Sequence, residues 1–198
     1  MEFQDVVRRR RMVRNFADRP VPAHIVDRVL DNALRAPSAG FSQGWAFVVL
    51  EGPAQTTEFW GDEPLGPRWQ GVARAPVIIV ALSNRQIYLD RYAEADKGWT
   101  DRDESRWAVP YWHVDTGMAS LLMLLTAVDA GLGALFFGLP HHRWAWLGPA
   151  LGVPGDYTPV GAVALGYPAP DEPSPSLKRG RRPASEVIHR GRFRPAPG

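Results

Sequence analysis

The chain contains no cysteine. Disulfides, thiolate metal sites and a cysteine nucleophile are therefore excluded, while the compartment stays open on this ground alone. Long hydrophobic runs are missing as well. The longest, residues 118–128, is too short to span a bilayer and runs into Asp129. Secretory patterning is also missing: Met1 leads into Glu2, Asp5 and an arginine run with no apolar stretch behind it. A soluble cytoplasmic protein without membrane contact is the expectation. Histidine is scarce, at five residues. The adjacent pair His141-His142 has no carboxylate at ligand spacing, so no metal site is expected. No Ser-x-x-Lys, P-loop or Rossmann glycine motif is present, which removes the common NTPase and dehydrogenase readings.

What is present is ordinary in bulk and uneven in detail. The 198 residues, 45% hydrophobic and 22% charged, suit a single domain spanning 1–198. A chain of this length buries about 70% of its unfolded surface. Net charge is only +2, yet residues 1–16 hold five arginines against two acids, and residues 177–198 hold seven Lys/Arg against Glu186 alone. Basic ends fit either nucleic-acid contact or an anion site built from both termini. No helix-turn-helix, RNA-recognition or zinc-finger pattern supports nucleic acid.

Hydrophobic spacing predicts a short helix over 2–9 and a second carrying Ile25, Val26, Val29, Leu30 and Ala33. Pro37 requires the second helix to stop near Ala36. Apolar runs predict buried strands at 46–50, 77–80, 134–137 and 160–165, with helices over 54–60 and 141–151. Residues 84–112 are charged and aromatic without a steady period. They read as an inserted flap with one short helix near 85–94. Asp115 or Thr116 is expected to cap a helix ending at Gly131, apolar nearly all round and therefore buried on every side, inside the core or at a subunit interface. Residues 168–198 are too polar to build a core and read as a C-terminal arm lying on another surface.

Two segments carry the chemistry. Arg10-Arg11-Met12-Val13-Arg14-Asn15-Phe16 places arginines at i and i+4, where a turning chain can aim both at one anion. Ala36-Pro37-Ser38-Ala39-Gly40-Phe41-Ser42-Gln43-Gly44-Trp45 is a small-residue loop between a helix and a strand, where backbone N–H groups can approach a flat ligand. Together they resemble the N-terminal half of the FMN-dependent nitroreductase family, with its R-R-S-V-R-x-F and A-P-S-x-x-N-x-Q-P-W segments. Met12, Phe41 and Gly44 stand where that pattern has Ser, Asn and Pro. Gly131-Leu132-Gly133-Ala134, residues 161–168, Arg179-Gly180-Arg181-Arg182-Pro183 and Ser185-Glu186-Val187-Ile188-His189 follow in the family's order. The resemblance covers roughly 6–48 and 112–190, leaving the flap unassigned.

The resemblance implies an α+β fold, with a central mainly antiparallel sheet flanked by helices, an extended C-terminal arm and a homodimeric assembly. It implies FMN as cofactor, NADH or NADPH as donor, and a small planar acceptor such as a nitroaromatic or quinone, reduced by a ping-pong mechanism. By the same resemblance Arg14 meets the pyrimidine edge of the flavin, and Arg10 reaches its phosphate. Arg11 and Met12 add main-chain contacts. Pro37, Ser38, Ala39 and Gly40 line the ring; Leu135, Phe136, Phe137 and Gly138 face its reactive edge. Gln70 or Arg68 supplies a polar contact. Arg179 and Arg181, two apart on an extended arm, point the same way and are expected to share the phosphate with Arg10 across a dimer. The second reading of Ser38 is a helix or turn cap, and Phe136 and Phe137 read equally as strand core. Trp107, Tyr111 and Trp112 are the flap candidates for stacking on an acceptor. The alternatives are another flavin chemistry on this fold (dehydrogenation, dehalogenation, flavin fragmentation) or a flavin-binding protein without turnover.

Overall fold

The computed structural model describes residues 1–62 and 64–193. Four antiparallel strands form one sheet in the order β1-β2-β4-β3: β1 (Trp45–Glu51), β2 (Val77–Asn84), β3 (Gly133–Phe137) and β4 (Tyr157–Gly166). Helices cover both faces, so the central strand β2 is buried along its whole length. Its side chains divide by the two-residue strand period. Val77 and Ile79 pack with α2 (Ala23–Ala33) and α6 (Tyr111–Asp129) through Val26, Val29, Ala119 and Met123. Ile78, Val80 and Leu82 face the other layer, where Phe59 of α3 (Gly52–Trp60) and Leu147 of α7 (His141–Ala150) meet Phe16 and Phe137. A continuous apolar strand is what burial on both faces demands.

Every strand expected from the sequence is present and each is longer, two of them by three residues or more. β2 runs on through Ser83 and Asn84, and β4 begins at Tyr157. Pro159 cannot donate to a ladder, and the register slips between Ala81 and Leu82 so that Val160 is the extra residue; such a bulge is where a strand tolerates proline.

The long helix starts earlier than expected. α6 begins at Tyr111 behind Pro110, so Asp115 and Thr116 lie inside it rather than capping it. The hydroxyls of Thr116, Ser120 and Thr126 donate to carbonyls four residues back, at 2.8–2.9 Å, which satisfies polar groups within a buried helix face. Within the single chain this helix leaves part of one face uncovered, with Val114 and Leu121 41% and 47% exposed.

The flap carries one helix, α5 (Arg85–Ala93), and a short 3₁₀ turn at Glu104–Arg106. Its rings pack on one another, with Trp107 touching Tyr88, Tyr92, Trp99, Tyr111 and Trp112 at centroid separations of 4.5–6.1 Å. The arm leaves β4 beside the N-terminal segment: Phe16 bridges Pro168, Ala169 N–H donates to Asn15 C=O, and Asn15 Nδ2 donates to Pro170 C=O. Beyond that its residues are mostly exposed, and its described helices contain no buried residue. No helix among the described residues is long and apolar enough to cross a membrane.

Candidate active site

The N-terminal arginine segment is placed by backbone before side chains. Met12 forms a parallel bridge with Ala134, and Val13 N–H donates to Ala134 C=O at 3.0 Å, so residues 12–14 run along the free edge of β3. Val13 is buried in the layer beneath, which leaves Arg14 beside the end of that strand. Its backbone N–H donates to Asp171 Oδ2 at 2.8 Å, and Arg11 lies 3.6 Å from the same oxygen. The start of the arm is thereby tied to the arginine segment.

Arg14 and Arg68 line one wall of a cavity of about 320 Å³, whose other walls are Trp69 and the backbone and side chains of Leu135–Gly138. Trp69 precedes β2 on the short helix α4 (Pro67–Gln70). Phe137 is 8% exposed and stacks on Trp60 at 5.9 Å, so its ring belongs to the core while its main chain reaches the cavity. Phe136 is half-buried. Arg14 and Arg68 also open onto a neighbouring cleft of about 770 Å³ with Gln70 and Arg74 on one side and residues 170–176 on the other. Arg14 donates to Met12 C=O at 3.3 Å. Neither Arg14, Arg68 nor Arg74 has a side-chain carboxylate partner among the described residues. The cavity is thus apolar and aromatic within, cationic at its rim, and bordered by an open glycine backbone at Gly138. That combination accepts a flat ligand carrying negative charge on one edge. Of the two polar candidates ahead of β2, Arg68 lines this cavity and Gln70 only the outer cleft.

Pro37, Ser38, Ala39 and Gly40 line neither space within the single chain. Their loop packs instead against α5 and α6. Ala39 N–H donates to Asp115 Oδ2 at 2.8 Å and is spent there; Ser38 Oγ accepts the Gln43 N–H at 3.1 Å, which is the turn-capping use of that serine. Gly40 C=O accepts from Arg91 Nε at 2.9 Å. Residues 40–44 also spell Gly-x-Ser-x-Gly, a hydrolase spacing easily passed over in this sequence. The context excludes that use: the segment leads from a helix into a strand, and Ser42 Oγ donates to Ala39 C=O at 2.7 Å with no histidine on it.

The other sequence candidates are dispersed. Arg10 is half-buried at the end of α1 (Phe3–Arg9), without a partner among the described residues. Arg179 and Arg181 are exposed on the arm and line neither cavity. Trp112 lies on α6 and is only 6% exposed, so it is a packing residue and not a flap surface. Tyr111, also on α6, is 40% exposed, and Trp107 is half-buried within the ring cluster. No group of His, Asp or Glu among the described residues is arranged to hold a metal.

The role of Asp115 lay beyond the sequence reading. Asp115, 1% exposed, accepts from Tyr88 Oη at 2.8 Å as well as from Ala39, and burial together with that bond pushes the Tyr88 phenol upward, so it stays a donor. An aspartate near an expected helix start resembles a cap, which hid its role. His113, hydrogen-bonded through Nδ1 to Ser83 Oγ at 2.8 Å, is pushed down by burial.

Comparison with known proteins converges on one family. A model described as Nitroreductase family matches residues 7–63 and 62–167. A NADH dehydrogenase of Thermus thermophilus is 33% identical over 201 residues, covering 91% of each chain. An iodotyrosine deiodinase of Haliscomenobacter hydrossis is 26% identical over 211 residues, covering 95% of this chain and 89% of its own. Among solved structures, one described as a nitroreductase in complex with FMN, from Desulfovibrio desulfuricans, is 25% identical with a TM-score of 0.73, covering 98% of this chain and 99% of its own.

Proposed function

We infer the chemistry from one premise: this chain belongs to the nitroreductase family. It is an NAD(P)H-dependent oxidoreductase with FMN as its cofactor. The observation that carries the reading is the inner cavity beside the end of β3, which Arg14 and Arg68 line without a side-chain carboxylate partner among the described residues. When bound, FMN supplies two-electron chemistry between a reduced nicotinamide and an acceptor such as a nitroaromatic or quinone, donor and acceptor using the site in turn.

The protein's own part is binding, orientation and charge. Arg14 and Arg68 hold a permanent positive charge where reduction places negative charge, which needs no titration. Leu135–Gly138 present main chain to the reactive edge. Arg10, with Arg179 and Arg181, receives the phosphate. Among the described residues that line the inner cavity none is an acid, which supports solvent as the source of protons. Because Pro37–Gly40 line neither cavity in one chain, the site is completed by a second copy in a homodimer, and the arm that lacks a core of its own lies along the partner. The likeness to an iodotyrosine deiodinase supports a second reading, reductive dehalogenation on the same site.

The test is an anaerobic titration of the yellow protein with NADH and NADPH, then with a nitroaromatic, a quinone and a halophenol. Bleaching by either nicotinamide and recovery with the first two acceptors are expected. Recovery only with the halophenol establishes the second reading. Flavin that neither nicotinamide bleaches, or FAD in place of FMN on chromatography of the released cofactor, overturns both.

A further inference from the structure

The turn at residues 38–43 holds a shape that its own sequence opposes. Gly40 lies at φ +61°, but Phe41 at +56° and Gln43 at +52° are side-chain-bearing residues in the left-handed region. Such a conformation persists only where surrounding groups over-determine it, and it concentrates where a ligand is gripped. Contacts from two helices do so here. From α6, Asp115 Oδ2 accepts the Ala39 N–H; from α5, Arg91 Nε donates to the Gly40 carbonyl, with Arg91 held in turn by both oxygens of Asp96 at 2.7 and 2.8 Å.

The tyrosines of α5 complete the brace. Tyr88 Oη donates to the same Asp115 oxygen that holds Ala39. Its ring fills the space beside Gly44, where an added Cβ would clash with Tyr88 Cε2 and lie 2.9 Å from the Asn84 carbonyl oxygen. A Cβ on Gly40 would lie 2.6 Å from Tyr92 Cε2. Proline at position 44, the residue of the resembled pattern, is therefore incompatible with Tyr88 where it stands. In this chain a buried carboxylate and a phenol stiffen the loop. The product is an exposed aromatic, Phe41 at 75%, on a turn with little freedom to withdraw it. An exposed ring on a strained, doubly braced turn has no use in the chain's own core.

We propose that Asp115 is a positioning residue for the cofactor site: through the Ala39 N–H, and braced by Tyr88, it sets the turn that presents Ser38 and Phe41 to the flavin. This rests on the flavoprotein reading above. Both donors meet one carboxylate oxygen, so an asparagine carbonyl can take its place. Shape, and not charge, is what Asp115 contributes.

The experiment compares the wild type with Asp115→Ala, Asp115→Asn and Tyr88→Phe. It measures FMN dissociation constants, visible circular dichroism of the bound flavin and apoprotein melting. Asp115→Ala is expected to weaken FMN binding about tenfold or more, one lost buried bond's worth, and to alter the flavin dichroism. Asp115→Asn should restore both to near wild type. Tyr88→Phe, which keeps the ring, should fall between them with an apoprotein melting point close to wild type. Wild-type affinity and dichroism in Asp115→Ala overturn the inference; if that variant does not fold, the same result in Tyr88→Phe overturns it. Asp115→Asn as damaged as Asp115→Ala also overturns it, since charge would then be what matters. A wild type that binds no FMN sinks the flavoprotein reading and this one with it, whereas FMN binding that all variants share sinks only this one.

Discussion

Arg14 reaches the site because its neighbours are tied down: Met12 to Ala134, Val13 into the core, and its own N–H to Asp171. Its guanidinium is left with a main-chain carbonyl at 3.3 Å and no acid among the described residues. Replacing it with alanine removes the positive charge that favours reduced flavin. A partly buried contact of this kind is worth about 1–3 kcal/mol, and about 30 mV corresponds to 1.4 kcal/mol in a two-electron couple. Arg14→Ala should therefore lower the flavin midpoint potential by about 20–65 mV, as read by anaerobic dye titration. An unaltered potential would mean that Arg14 does not face the pyrimidine edge. His113 gives a residue-scale effect on stability. Burial lowers its pKa from 6.5, so the unfolded chain binds the proton first as pH falls. Stability from this group is unaffected well above pH 6.5, declines below it, and levels off beneath the folded value. Urea midpoints at pH 7.5 and 5.5 should show that decline, and His113→Gln should flatten it; equal slopes in both proteins would exclude His113 as the source.

At the scale of elements, the sequence is most legible where burial imposes a simple period. β2 reads as a strand because both its faces are covered, and α2 because Val26, Val29 and Ala33 repeat on one face. Legibility fails where polar residues are satisfied by partners distant in sequence. Ser83 and Asn84 end β2 as strand because His113 and Asp156 take their side chains, and nothing local to residues 83–84 announces either. Asp115 was hidden in the same way, its partners lying 27 and 76 residues off. The site divides along this line. Arg14 and residues 135–138 were readable as ordered motifs and do share a cavity. The choice of Arg68 over Gln70 depends on how a short helix is turned, and the Pro37–Gly40 loop is separated from Arg14 by the course of the chain. The flap had no period because rings rather than helical faces hold it. Trp107 touches five of them, so Trp107→Ala should cost about 3 kcal/mol, the low end for truncating a tryptophan, since this one is only half-buried. Chemical denaturation measures this; a loss under about 1 kcal/mol would show that the cluster does not act as a unit.

Across the whole molecule, one face of α6 remains to be explained. Tyr111, Val114 and Leu121 are 40%, 41% and 47% exposed, and Met118 and Leu125 between and beyond them are only half-covered. The spacing of three and four residues makes these a continuous stripe along a helix whose opposite side packs on α2 and the sheet. On the arm Leu177, Val187, Ile188 and Phe193 are exposed by half or more. Apolar surface laid out in stripes marks an interface, and the loop that lines neither cavity in one chain gives that interface a chemical purpose. Leu121→Arg places a charge in the middle of the stripe, with its side chain directed away from the helix's own core, so the fold should persist with far-UV dichroism unchanged. The dimer should weaken, and FMN affinity should fall with it if the Pro37–Gly40 loop of one copy completes the site of the other. Sedimentation velocity across a dilution series, with bound flavin followed at its visible band, tests both at once. If Leu121→Arg remains dimeric at the concentrations where the wild type does, the stripe is not the interface. If it becomes monomeric yet holds FMN as tightly, each chain completes its own site and the Pro37–Gly40 loop serves only the fold.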